Sequence, residues 1–325
     1  MTASVATVVM YHFVQPRGSG PVAGLKALDL AAFREQLAYL RRHYTPVSPF
    51  DLVTSTEQGT ALPPRPVVLT FDDGYRGHRE HVFPLLEAEG MTATFFPVAA
   101  SLIDRQLLDV NRVQCILAAA EVEQIVRDVE AVVDEASRSG RCSPPSEYRA
   151  TWWKPSRWDP PAVVYVKRLL QHALPDAVRA PLVGDLFRRH VTADERGFAD
   201  ELYMDVDDAR EMAASGMTIG AHGDRHIRLP TLSRDGQARE IDGALRVLDA
   251  AGVARAPFVY CYANGEHDET SVDLLRARGC RAAFTTRPDV ARLDGAEMLA
   301  LPRLDANDVP SDANAPASEW TRRAF

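Results

Sequence analysis

The chain lacks the sequence features of a membrane-spanning or nucleic-acid-binding protein. No stretch reaches the roughly 20 consecutive apolar residues that a bilayer-spanning helix needs, and no basic run could neutralise a phosphate backbone. The 325 residues include 37 Lys and Arg against 45 Asp and Glu, a formal net charge of −8. We therefore expect no integral membrane segment and no nucleic-acid partner, whereas the oligomeric state stays open.

Cysteine is scarce, and the amino terminus lacks a basic leader. The cysteines are widely spaced and include no CxxC pair, which favours reduced thiols without a metal role: Cys115, Cys142, Cys261 and Cys280. Residues 1–9 are apolar over only a few positions, which indicates a first strand rather than an export signal. On this basis the sequence predicts a cytoplasmic protein.

Short apolar runs alternate with helical patterns, which is typical of βα units and a parallel sheet. Strands are predicted at residues 5–11, 66–71, 92–98 and 299–304, and helices at 113–137 and 233–251. Asp29 is predicted to cap the first helix. The alternation stops near residue 101 and resumes at Asp205. We expect one α/β barrel domain over residues 1–325, with its core at about 5–100 and 205–305 and a mainly helical subdomain inserted at 101–204.

Two adjacent carboxylates follow a predicted buried strand. The segment PVVLTF delivers Asp72, Asp73 and Gly74 at its carboxyl end, where barrel enzymes carry their catalytic groups. Adjacent side chains of an extended chain point in opposite directions, so the two carboxylates can take separate roles. By itself, an Asp-Asp-Gly sequence also fits an ordinary tight turn.

Two histidines spaced four positions apart follow another predicted strand, at residues 217–221. A helical turn or compact loop can bring the imidazoles of His222 and His226 to one cation. An HxxxH pattern alone is weak, but this one begins where its strand ends, as the Asp72-Asp73 pair does. Two histidines and one aspartate leave coordination positions open for water and substrate, as a hydrolytic metal requires.

The motifs TFDDGY, TATFFPV and IGAHGDRH together resemble the polysaccharide deacetylases of carbohydrate esterase family 4. The resemblance implies a distorted (β/α) barrel and a metal-dependent hydrolase that removes an N-acyl group, acetyl by preference, from an amino sugar. It assigns the general base to Asp72 and the metal ligands to Asp73, His222 and His226. The implied metal is a divalent ion, zinc by preference, with cobalt, nickel or iron as alternatives.

The sequence departs from the family pattern in the acid and oxyanion motifs. Residues 301–308 contain no histidine, where many members supply the general acid. The Tyr11-His12 pair resembles the first strand of the poly-N-acetylglucosamine deacetylase branch, which makes His12 the candidate acid. The alternative is a histidine that only supports the site.

Tyr262 lies in a segment similar to the aromatic motif in which a Tyr backbone N–H binds the oxyanion. Cys261 and Ala263 stand there where proline and glycine are usual. The arginine that often orients the catalytic aspartate is absent from this motif, and Arg303 could substitute. Alternatively, Arg303 pairs with Asp305 or another surface acid.

Two other functions remain open at this point: a catalytically silent saccharide-binding barrel, and a deformylase acting on a lipid-linked amino sugar. The insertion is expected to wall off one side of the groove and to favour a free, nucleotide-linked or lipid-linked sugar over a mature polymer. It could instead pack on the barrel's flank or form an oligomer contact, which would leave the groove open. Trp152, Trp153 and Trp158 could stack on sugars, but packing within the insertion is the preferred interpretation.

Overall fold

The computed structural model describes residues 5–295 and 297–324. Within these residues it divides into two compact units. The barrel unit comprises residues 5–17, 27–106 and 200–324, and the helical unit comprises residues 18–26 and 107–199. The predicted boundary at residue 101 thus lies within α4 of the barrel unit, Ala99–Leu102, and residues 18–26 join the helical unit.

The strands are β1 Val5–Tyr11, β2 Val14–Gln15, β3 Leu28–Asp29, β4 Thr45–Pro46, β5 Pro66–Asp73, β6 Thr94–Pro97, β7 Thr218–Ile219, β8 Phe258–Cys261, β9 Cys280–Phe284, β10 Ala291–Arg292 and β11 Leu304–Asp305. The helices are α1 Leu30–His43, α2 Pro49–Gln58, α3 Phe83–Glu89, α4 Ala99–Leu102, α5 Asp109–Ala119, α6 Val122–Arg138, α7 Pro145–Trp152, α8 Pro161–Arg168, α9 Asp176–His190, α10 Glu195–Leu202, α11 Val206–Ala214, α12 Arg234–Ala244, α13 Arg246–Ala251, α14 Glu269–Ala277 and α15 Glu319–Arg323. A π-helical turn at His78–Val82 precedes α3.

The parallel strands of the barrel unit close into a ring. β1 pairs with β5, β5 with β6 and β6 with β7. A single parallel bridge between Ala221 and Tyr260 continues the ring from β7 to β8, which pairs with β9. A second bridge, between Phe284 and Leu301, leads on to β11, which pairs with β1. The predicted α/β barrel is confirmed, and it is distorted where single residues replace full ladders.

Alternation along β5 separates the two faces of the barrel wall. Val67, Leu69 and Phe71 pack in the hydrophobic cluster that also contains α1 residues, whereas Val68 packs inside the barrel with Val8 of β1. The side-chain period of two therefore places Thr70 and Asp72 on the inner face with Val68. The carboxyl end of β5, with Asp72, is thus part of the buried inner face of the barrel.

Several elements are shorter or more broken than the patterns predict. The charged helix expected at residues 113–137 is two helices, α5 and α6, because the chain is extended at Ala120. The helix expected from Ser233 through Ala251 is likewise divided at Leu245. The last predicted strand, residues 299–304, starts as a 3-10 turn and pairs only around Leu301 and in β11, since Pro302 has no N–H to donate.

The tryptophans of the helical unit differ in environment. Trp152 makes an edge contact with His172, whereas Trp153 and Trp158 are 39% and 49% exposed. The guanidinium of Arg149 lies 4.1 Å from the Trp153 ring centroid, and that of Arg157 lies 4.2 Å from the Trp158 ring centroid. The ring centroid of Trp153 also lies 5.3 Å from that of the buried Tyr165, which agrees with packing within the insertion, whereas the half-exposed Trp158 departs from that interpretation. Among the described residues, no helix is long and apolar enough to cross a membrane.

Candidate active site and metal centre

The turn after β5 aims its two carboxylates differently. Asp72 continues the inner face of the strand, but Asp73 has φ 71, which breaks the extended chain and redirects its side chain. Gly74 also has φ 71, and a Cβ there would lie 2.7 Å from the Cβ of Pro97. Only glycine fits that position, which explains the Asp-Asp-Gly sequence in physical terms.

Asp73, His222 and His226 converge on one point. The Nε2 atoms of the two histidines each lie 3.5 Å from Oδ1 of Asp73. That oxygen is buried and accepts no hydrogen bond from the described residues. Ligand atoms around a tetrahedral zinc ion lie about 3.3–3.6 Å apart, given bonds of about 2.0–2.2 Å. The unpartnered carboxylate oxygen and the two imidazoles therefore fit a divalent cation.

Neighbouring groups orient these ligands. Nδ1 of His222 lies 2.7 Å from the carbonyl oxygen of Cys261, so it carries the proton and leaves Nε2 free toward Asp73. The hydroxyl of Tyr75 donates to Oδ2 of Asp73. Burial lowers the pKa of His226 to about 4, which keeps its imidazole neutral and able to bind a cation. Burial opposes ionisation of Asp73, but the two imidazoles outweigh it and lower the pKa of this carboxyl.

Arg303 holds Asp72 from both carboxylate oxygens. Nη1 donates to Oδ1 at 2.8 Å and Nη2 donates to Oδ2 at 2.7 Å, and both side chains are buried. The guanidinium also donates to the Thr285 carbonyl, to the Thr70 hydroxyl and to Sγ of Cys261. Burial raises the pKa of Asp72, but Arg303 outweighs it and brings the pKa to about 2. Asp72 is therefore a fixed, ionised carboxylate.

A second cluster, formed by Asp72, His222 and Cys261, also has ligand atoms within 4.8 Å of one another. It shares His222 with the first cluster. Both oxygens of Asp72 already accept from a guanidinium, and a cation placed there would be repelled by that positive charge. The cluster of Asp73, His222 and His226 is thus the better candidate for a metal centre.

His12 lies at the open side of the Asp72 carboxylate. Its Nε2 is 3.9 Å from Oδ2 of Asp72, and its side chain is 41% exposed. Its carbonyl oxygen lies 2.7 Å from Nε2 of His78, a buried histidine in the π-helical turn. The sequence offered no ligand partner for His78, and its contact with His12 depends on a fold that places residue 78 beneath the first strand.

Tyr262 lies at the end of β8 but faces away from the barrel interior. Its ring packs in a hydrophobic cluster with Tyr260, and its hydroxyl donates to the Leu299 carbonyl at 2.8 Å. Its backbone N–H donates to the Phe284 carbonyl at 3.1 Å, within the pairing of β8 and β9. An oxyanion would have to compete with that carbonyl for the N–H.

The fold and this constellation define a (β/α)-barrel protein that carries, at the carboxyl ends of its strands, a cluster of residues able to hold a metal ion. The sequence pattern of the polysaccharide deacetylase family matches residues 59–137 and 187–283. The chain belongs to this family, as the resemblance predicted.

Curated relatives match over a short region. The chain is 44% identical over 71 residues to poly-beta-1,6-N-acetyl-D-glucosamine N-deacetylase of Escherichia coli strain K12. The same figures hold for the protein of that name from Escherichia coli O157:H7. The match covers 22% of this chain and 11% of the length of each relative.

Solved structures of deacetylases share the fold over most of the chain. IcaB from Ammonifex degensii aligns with a TM-score of 0.58 at 18% identity, covering 99% of this chain and 98% of its own. A de-N-acetylase from Aggregatibacter actinomycetemcomitans aligns with a TM-score of 0.55 at 15% identity, covering 96% and 97%. The Streptococcus pyogenes deacetylase PplD in complex with acetate gives 0.54 at 14% identity, covering 93% and 92%. These likenesses confirm the predicted deacetylase-type barrel.

Proposed function

We propose that the protein is a divalent-metal-dependent hydrolase that removes an N-acyl group, acetyl by preference, from an amino sugar. The observation that carries the proposal is the convergence of Asp73, His222 and His226 beside an Asp72 carboxylate fixed by Arg303. Family membership supports the same chemistry.

Asp73, His222 and His226 would hold the ion, for which zinc is our first choice. When bound, a divalent cation polarises an amide carbonyl and acidifies water. Asp72 is proposed to accept the proton of the attacking water. Because its pKa is about 2, it is always ionised near neutral pH but is a weak base. Its role therefore requires water that is already acidified.

Arg303 is proposed to orient Asp72, since both oxygens of the carboxylate accept from the guanidinium. His12 is proposed to protonate the departing amine. Its Nε2 lies 3.9 Å from Oδ2 of Asp72, and its partly exposed ring can reach a substrate that enters from outside. Tyr262 stays our candidate for the oxyanion contact, with its N–H exchanging the Phe284 carbonyl for substrate.

The name of the Escherichia coli relatives, poly-beta-1,6-N-acetyl-D-glucosamine N-deacetylase, narrows the choice of glycan substrate. We propose an N-acetylglucosamine unit as the reacting sugar. A comparison of a polymer with a small conjugate as substrate distinguishes the two ways of presenting this unit. We also propose zinc as the ion and the cytoplasm as the location.

The decisive assay treats the purified protein with zinc or cobalt and offers N-acetylated glucosamine oligosaccharides. We expect acetate and primary amine in equal amounts, and release slower by about 10²- to 10⁴-fold from Asp72→Asn protein that still carries metal. Saccharide binding without any release would indicate a silent binding barrel. Formate release from an N-formyl amino sugar, without acetate release, would indicate a deformylase.

A further inference from the structure

The loop between the two metal-ligating histidines is wound around one buried carboxylate oxygen. Glu240 lies on α12 and is 5% exposed. Its Oε1 accepts from the backbone N–H of Arg225 at 2.8 Å and from that of Ile227 at 3.2 Å. The two donors flank His226 in the chain, so a single oxygen fixes the peptide on each side of this ligand.

The conformation that Glu240 fixes is an uncommon one. His226 has φ 61, in the left-handed region, which a non-glycine residue holds only when its surroundings enforce it. Gly223 has φ 86, and a Cβ at this position would lie 2.9 Å from Oε1 of Glu240. The loop therefore approaches the carboxylate so closely that a side chain at residue 223 would require Glu240 to shift.

The two ends of the loop are held by different groups. The backbone N–H of Ala99 donates to the Gly223 carbonyl at 3.3 Å, and that of Ala100 donates to the Asp224 carbonyl at 2.8 Å. These bonds fix the start of the loop, next to His222. The end of the loop, around His226, is held instead by the carboxylate of Glu240.

We propose that Glu240 is a positioning residue that sets the His226 imidazole for the cation. This inference rests on the proposed metal centre. Glu240 acts by accepting two backbone N–H groups, a role that an amide oxygen can also perform. Its negative charge is not required for that role, so the Gln variant separates acceptance from charge.

The test compares Glu240→Ala and Glu240→Gln with Gln237→Ala. Gln237 is a buried residue on the same helix whose side chain donates to Asp268 and to the Leu232 carbonyl, not to the histidine loop. The readouts are the zinc dissociation constant from chelator competition, the Co²⁺ absorption spectrum and the melting temperature of the metal-free protein.

We expect Glu240→Ala to weaken zinc binding by about 10- to 100-fold, the usual effect of losing a group that orients a ligand. The Co²⁺ spectrum should change as His226 moves away. Glu240→Gln should retain zinc affinity within about threefold. Gln237→Ala should lower the melting temperature while leaving zinc affinity and the Co²⁺ spectrum as in the wild type.

Wild-type zinc affinity in Glu240→Ala, or an equal loss in Gln237→Ala, would overturn the inference. If Glu240→Ala does not fold, Glu240→Asp serves instead, because it withdraws the oxygen by one methylene group. If the His226→Ala variant binds zinc as tightly as the wild type, the proposed metal centre itself is refuted. The two failures are thus distinguishable.

Discussion

Arg303 and Asp72 form a bidentate ion pair inside the barrel, with both partners buried and both carboxylate oxygens occupied. The aspartate comes from β5, and the arginine directly precedes β11. This pair decides the protonation of the proposed base, since burial alone would raise the pKa of Asp72. The alternative of a surface pair between Arg303 and Asp305 is not what the structure shows.

Replacing Arg303 should move the acid limb of the pH–activity profile to higher pH. Asp72 must be ionised to act, but its pKa of about 2 in the native protein lies below that of the His226 ligand, about 4, so Asp72 does not set the acid limb there. In Arg303→Met the pKa of Asp72 should rise by about 1–3 units, so that its protonation sets the acid limb of kcat/KM and moves it to higher pH. Arg303→Lys keeps the positive charge but loses the bidentate hydrogen bonds, so the pKa of Asp72 should rise less than in Arg303→Met.

The measurement is kcat/KM for acetate release against pH, with thermal unfolding of each variant. Removing one partner of a buried pair costs about 3–5 kcal/mol, so the assays need a temperature at which the variant is folded. An unchanged acid limb in folded Arg303→Met would show that Arg303 does not control Asp72.

The ligand and base variants should separate metal retention from turnover. Asp73→Ala and His222→Ala each remove a proposed ligand and should lose both the metal and the activity. Asp72→Asn should keep the metal and lose about 10²- to 10⁴-fold in kcat, the range for a general base. Elemental analysis beside the acetate assay tests this. Full metal occupancy in Asp73→Ala would contradict the assignment.

His12→Gln should lower kcat with little change in KM, because an acid acts on the departing amine rather than in ground-state binding. The expected loss is about 10²- to 10⁴-fold. His43→Gln is the control, since His43 lies at the end of α1 next to Tyr39. Equal rates for His12→Gln and the control would refute the acid role.

Tyr75→Phe should weaken metal binding without unfolding the protein. The hydroxyl donates to Oδ2 of Asp73, and outer groups of this kind contribute about 10- to 100-fold to metal affinity. Tyr39→Phe is the matched control, because its buried hydroxyl contacts Thr321 instead. Chelator competition measures both. The same metal affinity in the two variants would remove Tyr75 from the metal centre.

Substrate length can be tested by offering a β-1,6-linked N-acetylglucosamine polymer and a monosaccharide conjugate at equal concentrations of acetyl groups. The sequence-based expectation is faster deacylation of the small conjugate, at least about threefold in kcat/KM. Clear preference for the polymer would contradict that expectation and would match the substrate named for the Escherichia coli relatives.

The sequence predicted the site best where a motif lies at the carboxyl end of a predicted strand. Asp72, Asp73 and His222 follow buried runs, and parallel strands bring their carboxyl ends together, so the pattern of the chain alone predicts that these residues meet. The turn at Gly74 could be predicted as well, because this turn out of the strand requires a positive φ, which glycine adopts readily.

Other contacts depend on distant elements and had no local signal. Glu240 follows a helical pattern like any partly buried polar residue, and its role appears only when α12 packs beneath the histidine loop. Cys261 could be noted as a departure from the family, but its contacts with Asp72 and Arg303 follow from barrel closure. The helix breaks at Ala120 and Leu245 were also not predicted, because the helical spacing of apolar residues continues across both positions.

β1 is the seam of the barrel, since it is hydrogen-bonded to β5 on one side and to β11 on the other. The base and its arginine come from these two flanking strands, and His12 extends from the seam itself. A slip of β1 by one residue would exchange its inner and outer faces. A slip against β5 alone, with the pairing to β11 kept, would also displace Arg303 from Asp72 and move His12 away from the carboxylate. The register of a single strand, read along Val8 and Val9, thus sets the geometry of three residues of the site at once.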